Sequence, residues 1–291
     1  MLTKNKCKTL DCIVFGEIIY DIYDGMPQLG GAPLNYAWYL SQFGMEVLFI
    51  SSVGKDKLGR QALEKIESNN LIFSSIAISD IKTGIAQISG TPENPEFIIN
   101  KGVAWDKINL PHDISKYQAK CIYFGTLSQR TTFNQTSLKN LLKLKLKSSK
   151  MFDLNLRKDY HTKPIIEYSL KQSDFVKMNQ VEFEYICKLL KIHSPDDLLS
   201  VYDINTILIT NGDKQVNLIN KQTSMTALPP KSNTIDTIGA GDAFFATFTA
   251  GLIKNLPLNH ILSKSCEIAS YITETQGAIV NLPQNLKNLK Y

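Results

Sequence analysis

The feature that most constrains the fold is a rhythm along the chain. Short apolar runs alternate with stretches of helical periodicity, and the runs end in glycine or polar residues. Asp11 to Phe15 stops at Gly16, and a helical pattern through Ala37, Trp38, Leu40 and Phe43 stops at Gly44. Val47 to Ser52 follows, then an amphipathic helix to about Asn69. Apolar runs this short, without polar alternation, suit strands buried on both faces. Pro33 falls where a first helical turn accepts it, and Gly44 where a helix ends. Strand and helix in alternation imply a mostly parallel sheet with helices on both faces, whose ligands bind beyond the carboxyl ends of the strands.

The rhythm then breaks. Ile72 to Ile78, Thr83 to Ser89 and Glu96 to Asn100 read as short strands with no helix between them, and 90–95 reads as a turn. These segments are expected to form a small antiparallel sheet apart from the main one, closing with Gly102 to Asp106. Such a sheet would cap a site or pair with a second subunit. Alternation resumes with strands at Cys121 to Phe124, Lys150 to Asn155, Asp174 to Met178 and Thr206 to Thr210. Helices are expected at Thr131 to Lys147, Pro164 to Lys171 and Val181 to Lys191. Polar residues gather where these strands end: Asp153, Asn155 and Arg157, then Asn179 and Glu182, then Thr210 and Gly212. In a parallel sheet those exits share one edge.

Near the C-terminal end, Asp236 to Asp242 leads straight into the apolar run Ala243 to Ile253. Gly239 and Gly241 flank Ala240 at the start of that helix. Free N–H groups there, at the positive end of the helix dipole, favour an anion. Asp242 would repel one unless it does what a neutral residue cannot, such as taking a proton from an attacking hydroxyl. Alone, the spacing is more often a tight turn with an acidic first-turn residue. Upstream, Asp21 reads either as a loop carboxylate or as an acceptor for two hydroxyls of a polyol. Asn35, in the first turn of its helix, has an amide able to donate to and accept from a sugar hydroxyl.

Composition narrows the class. With 291 residues, 43% hydrophobic and 20% charged, the chain suits one large globular domain. Its longest apolar run is far below the ~18 residues a membrane span needs, and its basic N-terminus lacks a signal-peptide core, so a cytoplasmic protein with no membrane partner is expected. Five scattered cysteines, none in a Cys-x-x-Cys pair, imply reduced thiols without a zinc site. The net charge of +5 is modest. Lys139, Lys143, Lys145, Lys147 and Lys150 read as a solvated helix face, because no aromatic residues interleave as a nucleic-acid patch would require.

Taken in order, these motifs resemble the ribokinase-like (PfkB) carbohydrate kinase family, most closely its fructokinase-like branch, from about Gly16 to Gly277. The matching pieces are Gly16-Glu17 with Asp21, Gly30-Gly31 with Asn35, Gly54 with Asp56 and Gly59, and Asp153-x-Asn155-x-Arg157. Lys177-x-Asn179-x-x-Glu182, Thr210-x-Gly212 and the Asp236 to Asp242 stretch complete the set. The resemblance implies a single ribokinase-like domain over 1–291, with a β lid from about 17–32 and 72–105. It implies transfer of the γ-phosphoryl of ATP, with Mg²⁺, to a hydroxymethyl group of a sugar, fructose first. Asp242 would be the general base and the Gly239, Ala240, Gly241 and Asp242 amides the anion hole. Asp21, Gly31, Asn35 and Arg157 would hold the sugar. Asn179, Thr210, Gly212, Gly239 and Gly241 would contact the nucleotide, and Glu182 the metal. A monovalent cation such as K⁺ and a homodimer formed through the lid also fit the resemblance. Ribose, a keto-deoxy sugar acid or a nucleoside is the alternative acceptor, and a non-catalytic sugar or nucleotide sensor the alternative class. Two departures fall on the nucleotide side: Gln215 stands where family members usually carry a glycine, and Cys266 where many carry an asparagine.

Overall fold

The computed structural model describes residues 8–23, 25–68, 74–91, 94–157 and 160–289. The chain opens with β1 (Lys8–Phe15), β2 (Ile19–Tyr23), β3 (Met26–Gly30), α1 (Ala32–Gln42), β4 (Val47–Gly54), α2 (Lys57–Glu67) and β5 (Ser74–Ser79). It continues through β6 (Gly84–Thr91), β7 (Asn94–Ile99), β8 (Tyr117–Gly125), α3 (Thr132–Leu144), β9 (Ser149–Asp153) and α4 (Lys163–Lys171). Then come β10 (Phe175–Asn179), α5 (Gln180–Leu190), α6 (Pro195–Tyr202), β11 (Thr206–Asn211), β12 (Gln215–Asn220) and β13 (Ser224–Ala227). The long helices α7 (Ala240–Ile253) and α8 (Leu258–Thr273) follow.

The main sheet runs β13-β12-β11-β10-β9-β8-β1-β4-β5. Its strands are parallel from β11 to β5, and only β12 and β13 turn back as an antiparallel edge. From β1 the chain builds outward to β4 and β5, then crosses to β8 and builds the other way. That reversal makes the carboxyl edge around β1 the place where a ligand crevice opens. The pleat sends β1 side chains alternately into two cores. Cys12 and Val14 join the core under α1, α2, α7 and α8, while Ile13 and Phe15 join the core under α3 to α6. Helix α7 is apolar on every side because it lies between α1 and α8 against the sheet, with Ala243 to Gly251 fully buried.

The second sheet runs β3-β2-β6-β7. Its two hairpins are antiparallel, and β2 joins β6 side by side in parallel. One expectation is corrected here. The 72–78 segment does not belong to this sheet: from Ser74 on it is β5, which pairs in parallel with β4 at the edge of the main sheet. The physical reason is that α2 already supplies the crossover, so β4-α2-β5 is one more unit of the same rhythm. Ile72, Asp24 and part of the 90–95 turn lie outside the described residues. A second correction concerns the lysine cluster. Lys145 is buried and donates to the carbonyls of Ile114 and Tyr117, tying α3 to the strand before it. The described cysteines, Cys12, Cys121, Cys187 and Cys266, are all free thiols. No described helix is long and apolar enough to cross a membrane.

Candidate active site

Helix α7 begins without a side-chain cap. Its N-cap is Gly239 at φ 81°, a left-handed conformation that favours glycine. A Cβ there would also meet the backbone of Ala278 at 2.8 Å. Among the described residues nothing accepts from the N–H of Gly241 or Asp242, and Ala240 N reaches Thr237 O only at 3.4 Å. The half-buried first turn of α7 therefore presents backbone donors with no acceptor of their own. The Asp236 carboxylate fixes the approach to this turn, accepting from Ile238 N and Gly277 N, each at 2.9 Å.

Asp242 is the buried carboxylate of that turn, 8% exposed. The Asn35 side chain, from the start of α1, donates to Asp242 Oδ2 at 2.8 Å. Burial pushes the Asp242 carboxyl up to about 6, opposed by the Lys177 ammonium and the Asn35 hydrogen bond and aided by the Asp153 charge. The sequence thus brings its expected base and amide together across 207 residues. Asn35 Oδ1 is buried with no hydrogen-bond partner among the described residues, so an acceptor faces the same spot.

Of the other sequence-expected residues, Asp21 lies in the small sheet, Gly31 just after it, and Arg157 beyond the end of β9. Asp21 lies in β2, its carboxyl raised to about 6 by burial and held back from a larger rise by the Arg157 guanidinium. Gly31 is the N-cap of α1 at φ 110°, with room for a Cβ denied by Glu17 O at 2.8 Å. Arg157 donates to Asn155 Oδ1 at 2.7 Å and to Leu156 O at 3.1 Å. Its charge favours the ionised forms of Glu17, Asp21, Asp153 and Asp242.

At the start of α5, Asn179 and Glu182 form a reciprocal capping box. Asn179 Oδ1 accepts from Glu182 N at 2.8 Å, and Glu182 Oε2 accepts from Asn179 N at 2.8 Å. Glu182 Oε1 takes a further bond from Leu156 N at 2.6 Å. No group of three or more acidic, His or Cys side chains among the described residues could enclose a metal. One carboxylate whose two oxygens each keep a lone pair fits a hydrated Mg²⁺ bound mainly by a partner's phosphates, not a protein cage.

Beside the α7 turn a cleft of about 450 Å³ is lined by Thr210, Gly212, Pro229, Pro230, Ala240, Gly241 and Cys266, among others. Its walls are mainly apolar, with backbone donors at one end.

Comparison with known proteins places the chain in a family. The model of the pfkB family carbohydrate kinases matches residues 14–285. The chain belongs to the pfkB family of carbohydrate kinases. An uncharacterized sugar kinase of Pyrococcus horikoshii is 29% identical over 274 residues, 90% of this chain and 86% of the relative. Fructokinase-2 of Solanum lycopersicum is 23% identical over 277 residues, covering 87% and 84%. The structure of a fructokinase from Xylella fastidiosa with bound ATP superposes with a TM-score of 0.83 at 17% identity, covering 94% of each chain.

For this pfkB family member the two departures separate. Cys266 is in the wall of the 450 Å³ cleft. Gln215 is exposed at the start of β12, paired with Asn211, and is not among the residues lining that cleft. Two charged groups at the site were given no role by the sequence reading. Glu17, 3% exposed, has its carboxyl pushed up to about 7 by burial, and Glu17 Oε2 has no partner among the described residues. Lys177 is buried against Asp153. Lys177 and Asp153 stand in the motif pieces that carry the family resemblance, but nothing in the sequence pairs them until the register of β9 and β10 sets them side by side.

Proposed function

We propose that this pfkB-family kinase transfers the γ-phosphoryl of ATP to a hydroxymethyl group of a sugar, with fructose the first candidate. The observation that carries the reading is the uncapped start of α7, where unpartnered amides lie next to the buried Asp242, itself held by Asn35. A carboxylate near 6 is mostly ionised at neutral pH yet close enough to it to accept a proton efficiently.

Asp242 takes the proton of the sugar hydroxyl as that oxygen bonds to the γ-phosphorus and the bond to the leaving ADP oxygen breaks. The Gly239 to Asp242 turn faces the negative charge that spreads over the transferred group, where preorganised donors matter most. Asp21, Gly31, Asn35 and Arg157 orient the sugar, and the cleft lined by Thr210, Gly212 and Cys266 takes the nucleotide. Glu182 would hold a hydrated Mg²⁺, which supplies charge neutralisation on the phosphates. The small sheet, which carries Asp21 on β2, excludes water that would otherwise accept the phosphoryl group. ATP is supported by the ATP-bound fructokinase neighbour, and fructose by the fructokinase relative.

The test is a coupled ADP-release assay with Mg-ATP over fructose, ribose, a keto-deoxy sugar acid and adenosine. Turnover on fructose with the highest kcat/KM is expected. Preference for another acceptor would change the sugar and keep the kinase. Tight sugar binding by calorimetry with no turnover on any acceptor would replace the enzyme reading by a sensor.

A further inference from the structure

Beneath the first turn of α7 lies a charge pair with no role in the scheme above. Lys177 of β10 and Asp153 of β9 stand opposite each other in the parallel register. The Lys177 ammonium donates to both Asp153 oxygens at 3.2 Å. The carboxylate side chain is 0% exposed and the lysine side chain 9%. Both sit inside the sheet, where an ion pair is seldom worth its desolvation for stability alone. Its orientation is specific. A Cβ on Gly241 would meet Lys177 Nζ at 2.9 Å, so the ammonium is pressed against the α7 turn at a residue that has no side chain. On Asp242 the ammonium outweighs the Asp153 charge, and it is also the leading charge acting on Glu182.

We infer that the Lys177–Asp153 pair is a built-in counter-charge for the start of α7, its ammonium end turned to Asp242 and to the unpartnered amides. It rests on the kinase reading for its purpose and on the geometry for its existence. Lys177 is then a positioning residue: it keeps Asp242 a carboxylate without a direct hydrogen bond and adds to the positive field of the helix start. Asp153 holds the ammonium in place and limits its effect. A lone buried cation there would bind a phosphate too firmly, and a neutral floor would let Asp242 pick up a proton. The other groups facing Asp242 stay in place in the test. They are Glu17 after β1, Asn35 and Tyr39 of α1, Tyr123 of β8 and Arg157 after β9.

The test replaces both charges at once, Lys177→Met with Asp153→Asn, so that neither is left buried alone. Folding is verified by thermal melting. With the pair gone, kcat at pH 6 should fall about threefold to tenfold, with the sugar KM nearly unchanged and the acid limb of the pH profile moved upward. Asp153→Asn alone should move that limb downward. A double variant with wild-type kcat and pH profile would overturn the inference. A second readout does not depend on turnover: the carboxyl of Asp242 is followed by ¹³C NMR in aspartate-labelled protein, assigned with Asp242→Asn. Its midpoint should rise in the double variant and drop in Asp153→Asn. Unmoved midpoints would sink the counter-charge even if every sugar is phosphorylated, and the expected movements would sustain it even if none is.

Discussion

Helices α5 and α7 both begin at the carboxyl edge of the sheet, and both carry an acid in the third helical position. In α5 that acid, Glu182, is absorbed by the backbone: its two oxygens take N–H bonds from Asn179 and Leu156, and Asn179 caps the helix in return. In α7 the N-cap is Gly239, which has no side chain to cap with, and Asp242 takes its hydrogen bond from Asn35 of another helix. One helix start is closed by its own residues. The other is left with donors open and a carboxylate aimed elsewhere. A carboxylate at the same helical position caps its own helix in one case and, under the proposed mechanism, serves as the base in the other; the two starts differ in the residue before the helix, Asn179 against Gly239.

The sharpest way to break this contrast is Asp242→Asn. If the α7 acid is the base, kcat should fall by more than ~100-fold while sugar binding by calorimetry is kept. A variant with near-wild-type turnover would remove Asp242 from that role.

Next in size is a pH effect of the buried acid Glu17 at this edge. Glu17 sits near 7 in the folded chain, above its ordinary 4.5, because burial disfavours its charge. A raised carboxyl lends stability that is full below about 4.5 and is lost as pH rises through about 7, on the order of 3 kcal/mol in all. Urea unfolding at pH 5 and pH 8 should therefore show a fall in the wild type that Glu17→Gln flattens. Equal falls in both would show that Glu17 is not the titrating group.

The smallest effect belongs to α5. Glu182→Ala leaves the N–H groups of Asn179 and Leu156 unpaired and should cost about 1–2 kcal/mol in urea unfolding. In the wild type Glu182 also serves Mg²⁺ under the proposed mechanism, so the same variant should raise the Mg²⁺ needed for half-maximal turnover. A loss of stability with unchanged Mg²⁺ dependence would confine Glu182 to capping.

Much of this was legible in the chain. The alternation of apolar runs and helical stretches gave the parallel sheet, because a run buried on both faces and a crossover helix are local patterns. The candidate residues at the strand ends were legible as candidates, since strand ends in a parallel sheet share an edge whatever the topology in detail, whereas no role for Glu17 or Lys177 was. The place where the rhythm breaks was misjudged by one strand: β5 is short, follows α2 and has no sequence mark separating it from the hairpin strands of the lid. Lys145 was misjudged too, because whether a lysine on a helix face meets water or carbonyl groups depends on what packs opposite it.

The sequence by itself determined the order of elements, the glycine-led start of α7 and the acid that follows it, all of which depend on neighbours in the chain. The tertiary structure alone decided partners. It set Asn35 against Asp242, 207 residues away, and placed the Lys177 ammonium under Gly241 by aligning β10 with β9. The reason is physical: propensity and periodicity act over a few residues, but the charge state of a buried acid is set by whatever the fold brings within a few ångströms of it.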